Sequence, residues 1–265
     1  MTGGVACGWP TSPMLTYVYC VIAATRRPRL GRAIALPSAS RPRLVEIGRG
    51  LYLLVADVPE REYDERAIKA HLADLKWVSR AAVAHERAIG SVATVDAVLP
   101  MKLFTIFTSV ERAVADVTAN RARITAATDR VRRHEEFGIR VVLRRAIASA
   151  SPRGSRAGHT GTGAAYLTRK KALRDAATER AERARETVSA VYERLAARAH
   201  EARRRSPAEL PVADGPLLLD AAFLVPRSRS RSFRALAARE ARALEQSGYG
   251  LTLTGPWPPY SFVQD

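Results

Sequence analysis

No segment constrains this chain more than Gly255-Pro256-Trp257-Pro258-Pro259, close to its C-terminal end. Each proline fixes its own φ and carries no backbone N–H. Pro256, Pro258 and Pro259 therefore rule out a helix or a central strand and leave an extended path across a surface. Just upstream, Leu251 and Leu253 alternate with Thr252 and Thr254, the period of a half-buried strand. Trp257, Tyr260 and Phe262 ride on the stiff segment. Large aromatics are costly to leave in water, so these three are expected to fill an apolar groove, on this protein or on a partner, with Trp257 as the anchor.

A tail of this kind needs a body to dock on, and 265 residues suffice for two small domains. Hydrophobic residues make up 47% and charged residues 26%, a globular balance. The formal net charge of +17 is unevenly placed, with its excess in residues 1–50 and 144–205. An acidic partner is expected to meet those regions. Cys7 and Cys20 lack the spacing of a disulfide framework or a zinc site, so a reducing, cytoplasmic setting and no metal are expected. The apolar run 15–24 is about half a membrane span, and Arg26 and Arg27 follow it where a signal peptide has its charge in front.

Residues 1–13 are rich in Gly, Pro, Thr and Ser and are read as a disordered arm, with Met14 as an alternative start. A Tyr/Val-rich stretch over 15–22, read as a buried strand, comes next. Strands over 43–47 and 51–58 then flank the turn Gly48-Arg49-Gly50. Helices are expected from Asp64, with Ala67, Ile68, His71, Leu72 and Leu75 on one face, and over 77–89; His71 and His85 read as packed or surface residues. A strand over 94–102 meets Pro100, helices cover 110–117 and 119–135, and a strand covers 139–143. Glycines 154, 158, 161 and 163 suggest a phosphate loop, but no Gly-Lys-Ser/Thr closes it, and a flexible linker over 149–163 is the better reading.

From 164 to 205 the chain reads as one long helix with a stripe of Ala177, Ala181, Ala184, Val188, Val191 and Leu195. Because it holds most of the net charge, this helix is expected to carry the electrostatic contacts with a partner, with Arg203, Arg204 and Arg205 at its basic end as the candidate residues. A strand over 217–225, a helix capped by Ser230 or Ser232, and the final strand complete the chain. No nucleophile with a base, metal set or phosphate cradle is found, so neither catalysis nor a cofactor is expected. A basic nucleic-acid-binding protein is the alternative, resting on charge alone.

The run Gly255-Pro-Trp-Pro-Pro-Tyr-Ser-Phe262 resembles the C-terminal signature of the GvpL/GvpF family of gas vesicle proteins. Tyr17-Val18-Tyr19 is similar to that family's start, and Leu99-Pro100-Met101-Lys102 to its middle signature. Leu103-Phe104 departs from the commonest Phe-Gly there, which favours the GvpL-like branch. The resemblance implies an accessory or minor structural protein acting in gas vesicle assembly, with the shell protein and other accessory proteins as partners. The fold expected is α+β in two domains, 14–136 and 137–265. Each is a small sheet with helices on one face, the second ferredoxin-like with one long helix.

Overall fold

The computed structural model describes residues 13–32, 34–48, 50–92, 95–144, 163–205 and 215–263. The expected arm over 1–13 and linker over 149–163 lie, except for their last residues, outside the described residues. The chain forms two compact units, Met1–Arg133 with Pro258–Asp265, and His134–Trp257. The division thus falls three residues before the expected one, and the tail groups with the first unit.

In the first unit β1 (Met14–Ala23), β2 (Arg43–Gly48), β3 (Leu51–Pro59), β4 (Ala97–Pro100) and β5 (Ile106–Phe107) form an antiparallel sheet in the order β2-β3-β1-β4, with β5 also on β1. Between β3 and β4 come α1 (Glu60–Tyr63), α2 (Glu65–His71) and α3 (Leu75–Gly90); after β5 come α4 (Val110–Ala119) and α5 (Arg121–Val131). Asp64 and Asp74 cap α2 and α3, accepting from Ala67 N–H at 2.6 Å and Lys76 N–H at 2.9 Å. These bonds satisfy donors that a helix start leaves orphaned. Tyr17, Tyr19, Cys20 and Ile22 share one core with Leu54, Ala56 and Val58 of β3 and Trp77, Ala81, Ala84 and Ala88 of α3.

Every residue of β1 from Thr16 to Ala23 is buried. This strand is therefore covered on both faces, as its continuous Tyr/Val/Ile run predicts, although helices are expected on only one face of the sheet. Leu72 and Leu75, expected on an apolar helix face, are exposed, because the chain breaks between α2 and α3. Helix α5 also stops earlier than expected. Arg133 takes a φ of +59°, its N–H donates to the Asp96 carbonyl at 2.7 Å, and Glu135 lies in a strand.

The second unit runs β6 (His134–Leu143), α6 (Gly163–Ala196), β7 (Glu201–Arg204), β8 (Leu217–Pro226), α7 (Ser230–Gln246) and β9 (Tyr249–Trp257). With antiparallel order β7-β8-β6-β9 this is the βαββαβ arrangement of a ferredoxin-like fold. Phe137, Ile139 and Val141 of β6 alternate inward with Leu219, Ala221, Phe223 and Val225 of β8. Against them pack Val188, Val191 and Leu195 of α6 and Phe233, Ala237 and Leu244 of α7. The long helix ends at Ala196 and not at Arg205: residues 201–204, though helix-favouring by composition, pair with β8 from Glu201↔Leu224 to Arg204↔Ala221. Tertiary pairing overrides propensity there. Neither expected serine caps α7; Ser230 donates to Glu135 Oε2 at 2.7 Å and Ser232 to the Arg229 carbonyl at 2.9 Å.

Candidate functional site

Strand β9 is an edge strand, and it carries Pro256 to its end because an edge leaves that missing N–H unneeded. Gly255 sits at φ +105°, and a Cβ there would lie 2.7 Å from the Glu136 carbonyl oxygen, so only glycine fits the bend. Trp257 follows, 45% exposed. The chain then enters the first unit through Pro258 and forms α8 (Tyr260–Val263). Here Tyr260 N–H donates to the Pro258 carbonyl at 2.8 Å and Phe262 N–H to the Pro259 carbonyl at 3.1 Å. Phe262 is 1% exposed, and Tyr260 packs against the core of β1 and α3. Burial raises the Tyr260 phenol far above its ordinary pKa and raises the Glu86 carboxyl beside it. Within this chain it is Phe262 and not Trp257 that is buried, and the tryptophan is left presented to solvent.

The three basic residues singled out in the sequence are engaged within the second unit. Arg203 Nε donates to Glu201 Oε1 at 2.9 Å. Arg204 donates to Ser189 Oγ at 3.1 Å and lies over the Tyr192 ring at 4.3 Å. Arg205 reaches Asp220 Oδ1 at 2.7 Å and Glu136 Oε1 at 3.8 Å, while Arg140 Nε bonds Asp220 Oδ2 at 3.3 Å. Asp220, 7% exposed, is thus held between two guanidinium groups. Breaking such a pair strands a buried charge, but both arginines keep access to water that screens them. Asp220→Ala is expected to destabilise the second unit by about 2 kcal/mol, below the figure for a fully buried pair. Urea denaturation measures this, and a change under about 0.5 kcal/mol would make the lattice dispensable.

His85, buried on α3, lies with Nδ1 at 2.7 Å from the Tyr17 hydroxyl, which accepts from Phe104 N–H at 3.2 Å. Burial lowers its pKa to about 4, so the ring is neutral at pH 7. His71 stacks on Trp77 with centroids 4.2 Å apart. Burial raises the Cys20 thiol well above its usual range, away from thiolate chemistry. Lys102, Asp116, Asn120 and Arg123 line a first-unit cleft of about 260 Å³. No group of three or more His, Cys, Asp and Glu among the described residues is placed to hold a metal. No described helix is long and apolar enough to cross a membrane. The first half of α6, part of the long basic helix expected to carry partner contacts, leaves Tyr166, Leu167 and Leu173 exposed, three apolar residues to which the sequence assigns no role. Their signal is a pair of leucines beside a run of cations.

The family described as "Gas vesicle synthesis protein GvpL/GvpF" matches residues 15–264. Gas vesicle protein L of Streptomyces sp. (strain CB03234) is 31% identical over 229 residues, spanning 84% of this chain and 83% of the relative. The crystal structure of the gas vesicle protein GvpF from Anabaena sp. PCC7120 superposes with a TM-score of 0.69 at 15% identity, covering 95% of this chain and 97% of that one. GvpF from Microcystis aeruginosa gives a TM-score of 0.61 at 16% identity, covering 95% and 99%. These two share the fold, and the three sequence signatures fall inside the matched span. This chain belongs to the GvpL/GvpF family of gas vesicle proteins.

Proposed function

We propose that, within the gas-vesicle-related role its family gives it, this protein is an accessory or minor structural component. On this reading it acts in vesicle assembly through protein–protein contacts, in the cytoplasm and on the vesicle, without catalysis. Its partners are the shell protein and other accessory proteins. The observation that carries the reading is the family match over almost the whole chain, joined to an aromatic left exposed on a segment stiffened by prolines. A rigid aromatic loses little entropy on docking, which suits it to anchor a contact.

Deleting the gene and examining cells by electron microscopy tests the role; loss of vesicles, restored by the wild-type chain, is expected. Normal vesicles in the deletion strain would refute it. Trp257→Ala is expected to cost under about 2 kcal/mol of stability, since the ring is only partly buried, yet to impair restoration. A variant that folds and restores vesicles fully removes Trp257 from the contact.

A further inference from the structure

The face of α6 that is buried at Ala184, Val188, Val191 and Leu195 continues toward the N-terminal end through Ala181, Ala177, Leu173 and Tyr166. Spacings of three, four and seven residues keep these on one side. Among the described residues nothing buries that continuation. Every residue from Tyr166 to Arg183 is exposed, about 27 Å of helix at 1.5 Å per residue. Tyr166 and Leu167 are 65% exposed and Leu173 51%. Around them stand Arg169, Lys170, Lys171 and Arg174, none with an acidic partner among the described residues, whereas Arg183 further along pairs with Glu179 at 3.5 Å. The stretch therefore combines an unpartnered apolar stripe with an excess of positive charge, four cations against Asp175 over 169–175.

We propose that the first half of α6 is a docking face for an acidic amphipathic helix of a partner protein, one whose apolar stripe is flanked by carboxylates. The inference rests on the reading that this chain works through protein contacts. Charge complementarity selects the occupant. A second copy is opposed by like charges: in parallel pairing the cations of 169–174 face themselves. Antiparallel pairing about Ala177 sets Lys171 against Arg183, Arg174 against Arg180 and Arg169 against Arg185. A membrane surface calls for a broader apolar face than Tyr166, Leu167 and Leu173 provide. Single-stranded nucleic acid calls for stacking platforms, and Tyr166 is alone on this stretch.

The test uses the full chain and a labelled synthetic peptide of about four heptads with Leu at a and d and Glu at e and g, which repels itself and stays monomeric. Fluorescence anisotropy is expected to show binding that weakens about tenfold from low to physiological salt. The double variant Leu167→Glu/Leu173→Glu is expected to weaken it at least about tenfold. Lys170→Glu/Lys171→Glu is expected to lose the acidic peptide and to gain a matched peptide bearing Lys at e and g, which a merely disrupted helix does not do. Circular dichroism checks that α6 persists in each variant. Equal binding of the acidic and basic peptides by the wild type, or unchanged binding by the variants, overturns the proposal. So does binding to anionic phospholipid vesicles or single-stranded DNA without binding to the peptide. Because no vesicle formation is read, this outcome is independent of the deletion experiment above.

Discussion

Phe262→Ala is expected to lower the stability of the first unit by about 3–5 kcal/mol, the range for emptying a core site of a large aromatic. The ring is 1% exposed, on a four-residue helix held by Pro258 and Pro259 carbonyls, next to a Tyr260 that packs on the core of β1 and α3. So short a helix has no stability of its own and keeps its shape through that packing. A second consequence follows from the same contact. Truncation after Trp257 removes α8 while leaving β9 whole, so the loss is expected in the first unit and not in the second. Urea denaturation of the full chain, with hydrogen exchange to assign protection to each unit, measures both. A Phe262→Ala loss of under about 1 kcal/mol would show that the tail only rests on the unit and is no part of its core.

The tail also marks where sequence reasoning reaches and where it stops. Pro256, Pro258 and Pro259 made its extended path legible, and alternation made the strand at Leu251 and Leu253 legible, because both are local properties of the chain. Which aromatic is buried is set by what lies across from it, and that is not local. Trp257 is the larger ring, yet Phe262 falls at the position where α8 meets the core. The same division holds at Arg203, Arg204 and Arg205. Their composition favours helix, and only the open edge of β8 turns Arg203 and Arg204 into a strand and sets Arg205, just past its end, against Asp220. The ferredoxin-like order of the second unit was readable in part, since strand, long helix, strand, helix and strand alternate in period along the chain, while β7 was absorbed into the long helix. The burial of β1 was legible in its unbroken Tyr/Val/Ile run, but what covers its second face was not, since α4 and α5 lie almost a hundred residues downstream of it. The basic charge of α6 was legible, but which of its residues stand clear of the fold was the least legible part, because that is visible only when the helix is seen to leave its core.

Acidification from pH 7 to pH 4 is expected to cost the first unit about 3 kcal/mol through His85 alone, from the difference between an ordinary imidazole near pH 6.5 and one lowered to about 4. The cause is burial: α3 places the ring beside Tyr17 and Tyr19 of β1, with centroids 5.8 and 5.7 Å away, and neither phenol supplies negative charge at these pH values. The Tyr17 oxygen already accepts from Phe104 N–H, which suits its own hydrogen to point at His85 Nδ1 and the imidazole to accept. Protonating Nδ1 reverses that bond and puts a cation in the core, where the Met101 backbone offsets only part of the cost of burial. The sign is fixed by which state binds the proton more readily. Above pH 6.5 both folded and unfolded chains carry neutral His85, and nothing is lost. As pH falls below 6.5 the unfolded chain takes up a proton that the folded chain refuses, so stability declines and levels off once the folded ring titrates near 4. Glu86 acts in the opposite direction, because burial raises its carboxyl and relieves the folded state as that group protonates. The measurement is therefore a comparison: urea denaturation of the wild type and of His85→Gln at pH 7 and at pH 4.5, where Glu86 contributes equally to both proteins. A His85→Gln chain that loses as much stability on acidification as the wild type would place the acid sensitivity elsewhere.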